Sequence, residues 1–97
     1  MRSVHLQDLL AAGRVVIAAA AAERETLCRE LMRRAERADR LARGAGPGAA
    51  RQGDGTLADA ARGYPAAPFL DLDDAAHCAC LEMVLRHLRT RPRSALL

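Results

Sequence analysis

Apolar residues recur at spacings of three and four along most of the chain, and the longest unbroken run of that pattern is Glu23 to Arg43. At that spacing Leu27, Cys28, Leu31, Met32, Ala35, Ala38 and Ala42 share one face of an α-helix. The back of the same helix carries Arg24, Glu25, Arg29, Glu30, Arg33, Arg34, Glu36, Arg37 and Arg40. Neither Gly nor Pro interrupts it, and nearly every residue is a good helix former. Such a helix must bury its stripe against something.

Upstream, Leu6, Leu9, Leu10, Gly13, Val16, Ile17 and Ala20 predict a first helix from about His5, capped by Ser3. This reading leaves His5, Gln7, Asp8 and Arg14 outside. Ala11, Ala12, Val15 and Ala18 to Ala22 widen its apolar arc, and a helix apolar over most of its circumference is buried on more than one side. One partner helix would not cover it, so self-association is expected, with Leu6, Leu10, Val15, Ile17, Leu27 and Leu31 as the candidate oligomerisation residues. Ala18 to Ala22 holds no breaker and would allow one long bent helix, but a tight connection near Ala20 to Ala22 is favoured, making the two an antiparallel helical hairpin over about 5–43. Glu23 and Glu25 suit the start of its second arm electrostatically.

The pattern then stops. Residues 44–55, GAGPGAARQGDG, hold five glycines and one proline and read as a loop. Thr56-x-x-Asp59 matches a capping box opening a short helix over 56–62. A proline-containing link over 63–70 follows, with Tyr64, Phe69 and Leu70 as its expected anchors in the core. Asp71-x-x-Asp74 caps a C-terminal helix over about 73–90, whose buried stripe is Ala76, Cys80, Leu81, Val84, Leu85 and Leu88. Pro92 stops it, and a basic tail occupies 91–97. Strand-like alternation is absent throughout. The prediction is an all-α single small domain: hairpin, short third helix, C-terminal helix.

Composition narrows the core. Ninety-seven residues make one domain with a modest interior, so association is a natural source of further stability. The apolar half of the chain is carried by 22 alanines, with Tyr64 and Phe69 the only aromatics, so close packing through small residues is expected. All fifteen basic residues are Arg, a bias that weakens each of them as a phosphate signal. A net charge of +3 permits a nucleic-acid partner without demanding one. Three cysteines form no disulfide framework, which points to a reducing, cytoplasmic chain. Val15 to Ala22 offers small-residue sites like those of signal cleavage, but Asp8 and Arg14 break the apolar run and its flanks are wrong for a transmembrane span. No membrane partner is expected.

Candidate chemistry is sparse. In His77-Cys78-Ala79-Cys80 the two thiols point about 200° apart on a helix, and no second ligand pair faces them, so they read as small hydrophobes and no metal or other cofactor is expected. The Gly53-Asp54-Gly55-Thr56 stretch lacks the lysine of a phosphate-binding loop; its glycines fit a turn with positive φ ahead of the Thr56 cap. Asp54, Asp59, Asp71, Asp73 and Asp74 all occupy turn or cap positions, and no catalytic order of nucleophile and base stands out. The chain reads as a non-enzyme.

The charged back of the second helix remains. It holds seven Arg against five acids from Glu23 to Arg43, with Glu25–Arg29, Glu30–Arg34 and Glu36–Arg40 at i,i+4 spacing. Arg33, Arg37, Arg40 and Arg43 leave positive charge toward its C-terminal half, and Arg86, Arg89, Arg91 and Arg93 leave a basic end with no acid after Glu82. Of these, Arg33, Arg37, Arg40, Arg43, Arg89, Arg91 and Arg93 are the candidate nucleic-acid contacts.

The order of features also resembles a known family. Ala35-x-x-Ala38-Asp39-Arg40 closes the hairpin, Gly53-Asp54-Gly55-Thr56-Leu57 precedes Ala60-Ala61, and a proline-containing link reaches Asp73-Asp74 and Cys80-Leu81. Over most of the chain this is similar to the small terminase subunit of gene transfer agents, the phage-like particles that package DNA. It departs from that pattern at Gln52, where an aromatic is expected, and at Ala19 to Ala22, where a proline is. The resemblance implies a non-catalytic packaging factor that assembles into rings through helical hairpins, engages DNA and recruits the large terminase subunit. A chain this short lacks room for a separate helix-turn-helix domain beside a ring-forming core. Its contact with double-stranded DNA is then expected to be weak and non-specific, Arg to phosphate. The reading from another class is a small helical protein–protein adaptor or regulator with no DNA role.

Overall fold

The structure, a computed structural model, describes residues 1–44 and 53–91. The fold is all-α. Among the described residues four helices, α1 (Leu6–Ala18), α2 (Arg24–Gly44), α3 (Leu57–Ala61) and α4 (Ala75–Thr90), make one small domain, with a one-turn 3-10 helix at Ala21–Glu23 between α1 and α2. Among the described residues there is no strand, and no helix is long and apolar enough to cross a membrane.

The hairpin partners are consecutive helices, but α1 packs chiefly on α4 and α3 and less on α2. It is the central helix of the domain. Much of its wide apolar arc is therefore met within the chain, by α2, α3 and α4, while Leu6 and Leu10 stay exposed. The connection falls at the expected place: Ala19 and Ala20 are extended, and the 3-10 turn leads into α2. Arg24 turns back over the end of α1, its Nε donating to the carbonyls of Val16 and Ala19 and its Nη2 to that of Ile17. The Val16 carbonyl also accepts from the Ala19 N–H, so Arg24 adds to the backbone bond that closes the helix C-terminus.

The buried face of α1 is rotated from the predicted one. Asp8, Ala12, Gly13, Val15 and Val16 are buried, whereas Leu6 is 69% exposed. Two contacts fix this rotation. Gly13 lies against the ends of Leu81 and Leu70, where an added Cβ would fall 2.7 and 3.0 Å from their Cδ atoms. Asp8, expected outside, is 2% exposed because its carboxylate serves two helix starts. Its Oδ2 accepts from the His5 N–H at 2.8 Å and its Oδ1 from the Ala58 N–H of α3 at 2.9 Å. His5, not Ser3, is thus the N-cap residue of α1.

The core is built from Ala12, Val15 and Val16 of α1, Cys28, Leu31, Met32 and Ala35 of α2, Leu57 and Ala61 of α3, and Cys80, Val84 and Leu88 of α4. Small residues dominate it, as the alanine content implied. On α4 Cys80, Val84 and Leu88 are buried as predicted and Leu81 is half-buried, but Ala76 and Leu85 are exposed. The link over 63–70 is held by Arg14, whose Nε donates to the Ala67 carbonyl and whose own carbonyl accepts from the Ala67 N–H. Tyr64 and Leu70 are half-buried, while Phe69, expected as an anchor, is 64% exposed.

Candidate nucleic-acid interface

The second half of α2 and the start of α3 form one structural junction, and the stretch Gly53 to Asp59 explains how. Gly53 and Gly55 both have positive φ, +100° and +87°. Gly55 sits on α2 so closely that a Cβ there would lie 2.9 Å from the Cα of Asp39 and 3.2 Å from its nitrogen. Only glycine meets both the dihedral and the space. Asp54 Oδ1 accepts from the Thr56 hydroxyl at 2.6 Å and the Thr56 N–H at 2.8 Å, which hold its carboxyl below the ordinary range. Asp59 Oδ2 accepts from the Asp54 N–H at 3.2 Å, and Thr56 Oγ1 caps α3 by accepting from the Asp59 N–H at 3.1 Å. The positive-φ turn and the Thr56 cap are as expected, but the reciprocal half of the capping box is not made, since the Thr56 N–H donates to Asp54 and the Asp59 carboxylate takes the Asp54 N–H instead.

On the α2 side, Asp39 is buried, which works to raise its pKa, but the N-terminal ammonium at 3.0 Å and Arg43 at 2.8 Å outweigh burial and keep it below its ordinary value. The ammonium also reaches Glu36 at 3.0 Å. Thus the two sequence stretches singled out together, Ala35 to Arg40 and Gly53 to Leu57, touch each other in the fold.

Over this junction lies a cleft of about 950 Å³ between α2 and α3. Its floor includes Ala38, Gly53, Thr56 and Ala60, and its charged walls are Arg33, Arg34, Arg37 and Arg62 with Glu30, Asp54 and Asp59. Four cations face three carboxylates. Glu30 bridges Arg33 at 3.1 Å and Arg34 at 3.4 Å, Asp59 holds Arg62 at 2.9 Å, and the Arg34 guanidinium lies 5.1 Å above the Tyr64 ring centroid. Among the described residues Arg37 and Arg40 have no carboxylate partner.

Of the predicted nucleic-acid contacts, Arg33 and Arg37 line the cleft and Arg40 is exposed one turn along α2. Arg43 is not unpaired, since it reaches back four residues to Asp39. The basic end of α4 is also more occupied than its sequence suggests. Arg86 and His87 both bond Glu25, His87 Nε2 at 2.7 Å, and the Arg86 bond followed by that of His87 lowers the Glu25 carboxyl. Arg91 Nη1 donates to the Leu88 carbonyl at 3.3 Å, and Arg89 is exposed on the outer face of α4. Glu25, where α4 is tied, lies about 18 Å along α2 from Arg37, so these residues do not join the cleft. Arg93 and the rest of the tail from Pro92, like residues 45–52 of the loop, lie outside the described residues.

Sequence reading missed Arg62 and Arg34 as cleft residues. Arg62 follows α3 at i,i+3 from Asp59, a pairing visible in the sequence, but its approach to α2 needed the close Gly55–Asp39 contact. Two expected helix pairs, Glu25–Arg29 and Glu36–Arg40, are replaced by longer-range partners.

Of the predicted oligomerisation residues, Val15 and Leu31 are core, and Ile17 and Leu27 pack half-buried against it. Leu6 and Leu10 remain exposed. Gly13, Leu70 and Leu81 meet at one point, and each arm leaving it bears an exposed apolar side chain: Leu10 one turn back on α1, Phe69 and Leu72 on the link, and Leu85 one turn on along α4. A second groove, about 650 Å³ and mainly apolar, lies between the end of α1, the start of α2 and Tyr64–Pro65, with Val15, Ala18, Ala22 and Leu27 in its walls.

Cys28 and Cys80 are buried; burial pushes the Cys28 thiol up to about 11 and raises that of Cys80. Cys78 Sγ donates to the Leu72 carbonyl. Among the described residues no group of His, Cys, Asp and Glu converges as a metal site.

The chain belongs to the family described as a domain of unknown function (DUF7742), which it matches over residues 2–88. No curated protein and no solved structure matches it.

Proposed function

We propose that the chain is a non-catalytic DNA-packaging factor of the small-terminase kind, a cytoplasmic protein that self-associates, touches duplex DNA and bridges it to a large terminase motor. The observation that carries this reading is the junction beneath the cleft. The two stretches of the sequence similar to gene-transfer-agent small terminases are in direct contact there, and the arginines beside them stand on the solvent face of α2. Arg33, Arg37 and Arg40 follow one another over about 10 Å of helix axis. Side chains so arranged meet phosphates along a backbone rather than base edges, so the contact is sequence-independent.

The expected affinity is low. Three phosphate contacts per chain give a log–log salt slope of about −3, and several copies in one assembly multiply the attraction. Self-association uses the exposed apolar side chains around Gly13, namely Leu6, Leu10, Phe69, Leu72 and Leu85.

The test is retention of labelled duplex DNA across a salt series. Arg33→Ala with Arg37→Ala and Arg40→Ala is expected to remove most binding and flatten the slope, while Arg89→Ala leaves both near wild type. Equal losses from the α2 and α4 variants would contradict an α2 interface.

The adaptor reading has its own support in the groove beside Tyr64 and Pro65, whose mainly apolar lining suits apolar side chains better than phosphates. Absence of salt-dependent DNA retention, together with capture of a protein partner lost in Leu27→Glu, would favour it.

A further inference from the structure

The arginines of the cleft are not waiting empty. Glu30 alone spans two of them, one carboxylate oxygen on Arg33 and the other on Arg34, and Asp59 occupies Arg62. Arg34 is further fixed over the Tyr64 ring. Of the four lining arginines only Arg37 lacks a carboxylate partner among the described residues, and exposed Arg40 beside it is likewise without one.

We infer that Glu30 is an internal counter-ion that sets which anions the cleft accepts, admitting a polyphosphate backbone and rejecting single phosphates. This rests on the proposed DNA-binding reading of the same site. A carboxylate tethered one turn from its arginines competes at an effective concentration of roughly millimolar or more. One free phosphate at lower concentration does not displace it. A nucleic-acid backbone first engages Arg37 and Arg40, which need no exchange. That contact holds the neighbouring phosphate beside Arg33, about 6 Å along the helix axis from Arg37, where it displaces one oxygen of Glu30. Arg37 is then the entry point and Glu30 the discriminating residue. The exchange keeps binding weak, which suits DNA that must move past the protein.

The test uses the full chain and duplex DNA over a salt series, comparing Glu30→Gln with Glu82→Gln. Both variants remove one negative charge, but Glu82 lies on the outer face of α4, away from the cleft. Glu30→Gln is expected to tighten binding roughly two- to five-fold at low salt, the scale of one exposed ion pair. It also steepens the salt slope by about one phosphate equivalent. Glu82→Gln changes the slope not at all. Inorganic phosphate at matched ionic strength displaces the duplex from wild type no better than chloride does.

Equal behaviour of the two variants would overturn the role of Glu30 and leave the DNA-binding reading standing. Displacement specific to inorganic phosphate would overturn the selectivity. Failure of both wild type and Glu30→Gln to retain duplex at any salt would overturn the DNA-binding reading itself.

Discussion

Gly55 shows how one position couples two distant parts of the chain. Its φ of +87° and its van der Waals contact with the Asp39 backbone are independent reasons against any side chain. Gly55→Ala is expected to cost about 2–4 kcal/mol, combining the left-handed penalty with local overpacking. Urea unfolding measures it, and a variant as stable as wild type would mean that the loop does not sit on α2 as described. The need for positive φ was legible in Gly-Asp-Gly-Thr; the contact with Asp39, sixteen residues earlier, was not. Asp8 failed in the opposite direction. A carboxylate on a helix is assigned to solvent by its charge alone, and nothing local announces that it will cap a helix fifty residues away.

At the scale of elements, the helices were legible because their caps and periods are local. Thr56 and Asp74 cap α3 and α4 as their sequences indicate. The face of α1 was misread because Leu6, Leu9 and Leu10 outweigh alanines in any apolar count, yet it is Ala12 and Gly13 that let neighbouring helices come close. Charge pairing was misread for a similar reason. Helix spacing gives Glu25 to Arg29, but α4 brings Arg86 and His87 to that carboxylate instead.

These tertiary contacts have a pH signature. The carboxyls of Glu25, Asp39 and Asp54 are all lowered, so the stability they contribute is fully present above the unfolded values near pH 4 and is lost as pH falls through the folded values. Thermal unfolding followed by circular dichroism is expected to be level above about pH 5 and to fall below about pH 4. Asp54→Asn keeps the acceptor oxygen without the titration and should make that fall shallower. Undiminished stability in strong acid would contradict the described bonds.

For the molecule as a whole, fold class was readable and assembly was not. Much of the apolar surface of α1 is covered by α3 and α4, short or late in the chain, though Leu6 and Leu10 stay exposed. Among the described residues the large apolar side chains left exposed are Leu41, apart on α2, and Leu6, Leu10, Phe69, Leu72 and Leu85, scattered over three segments that the meeting of Gly13, Leu70 and Leu81 brings together. A cleft with four arginines and three acids is a modest field for one chain, and becomes a strong one only when copies are arrayed. Self-association is therefore what the proposed packaging role most depends on. Native mass of the purified chain tests it directly: the expected result is a defined species of several 10.4 kDa copies, and a single 10.4 kDa species at every concentration would contradict it.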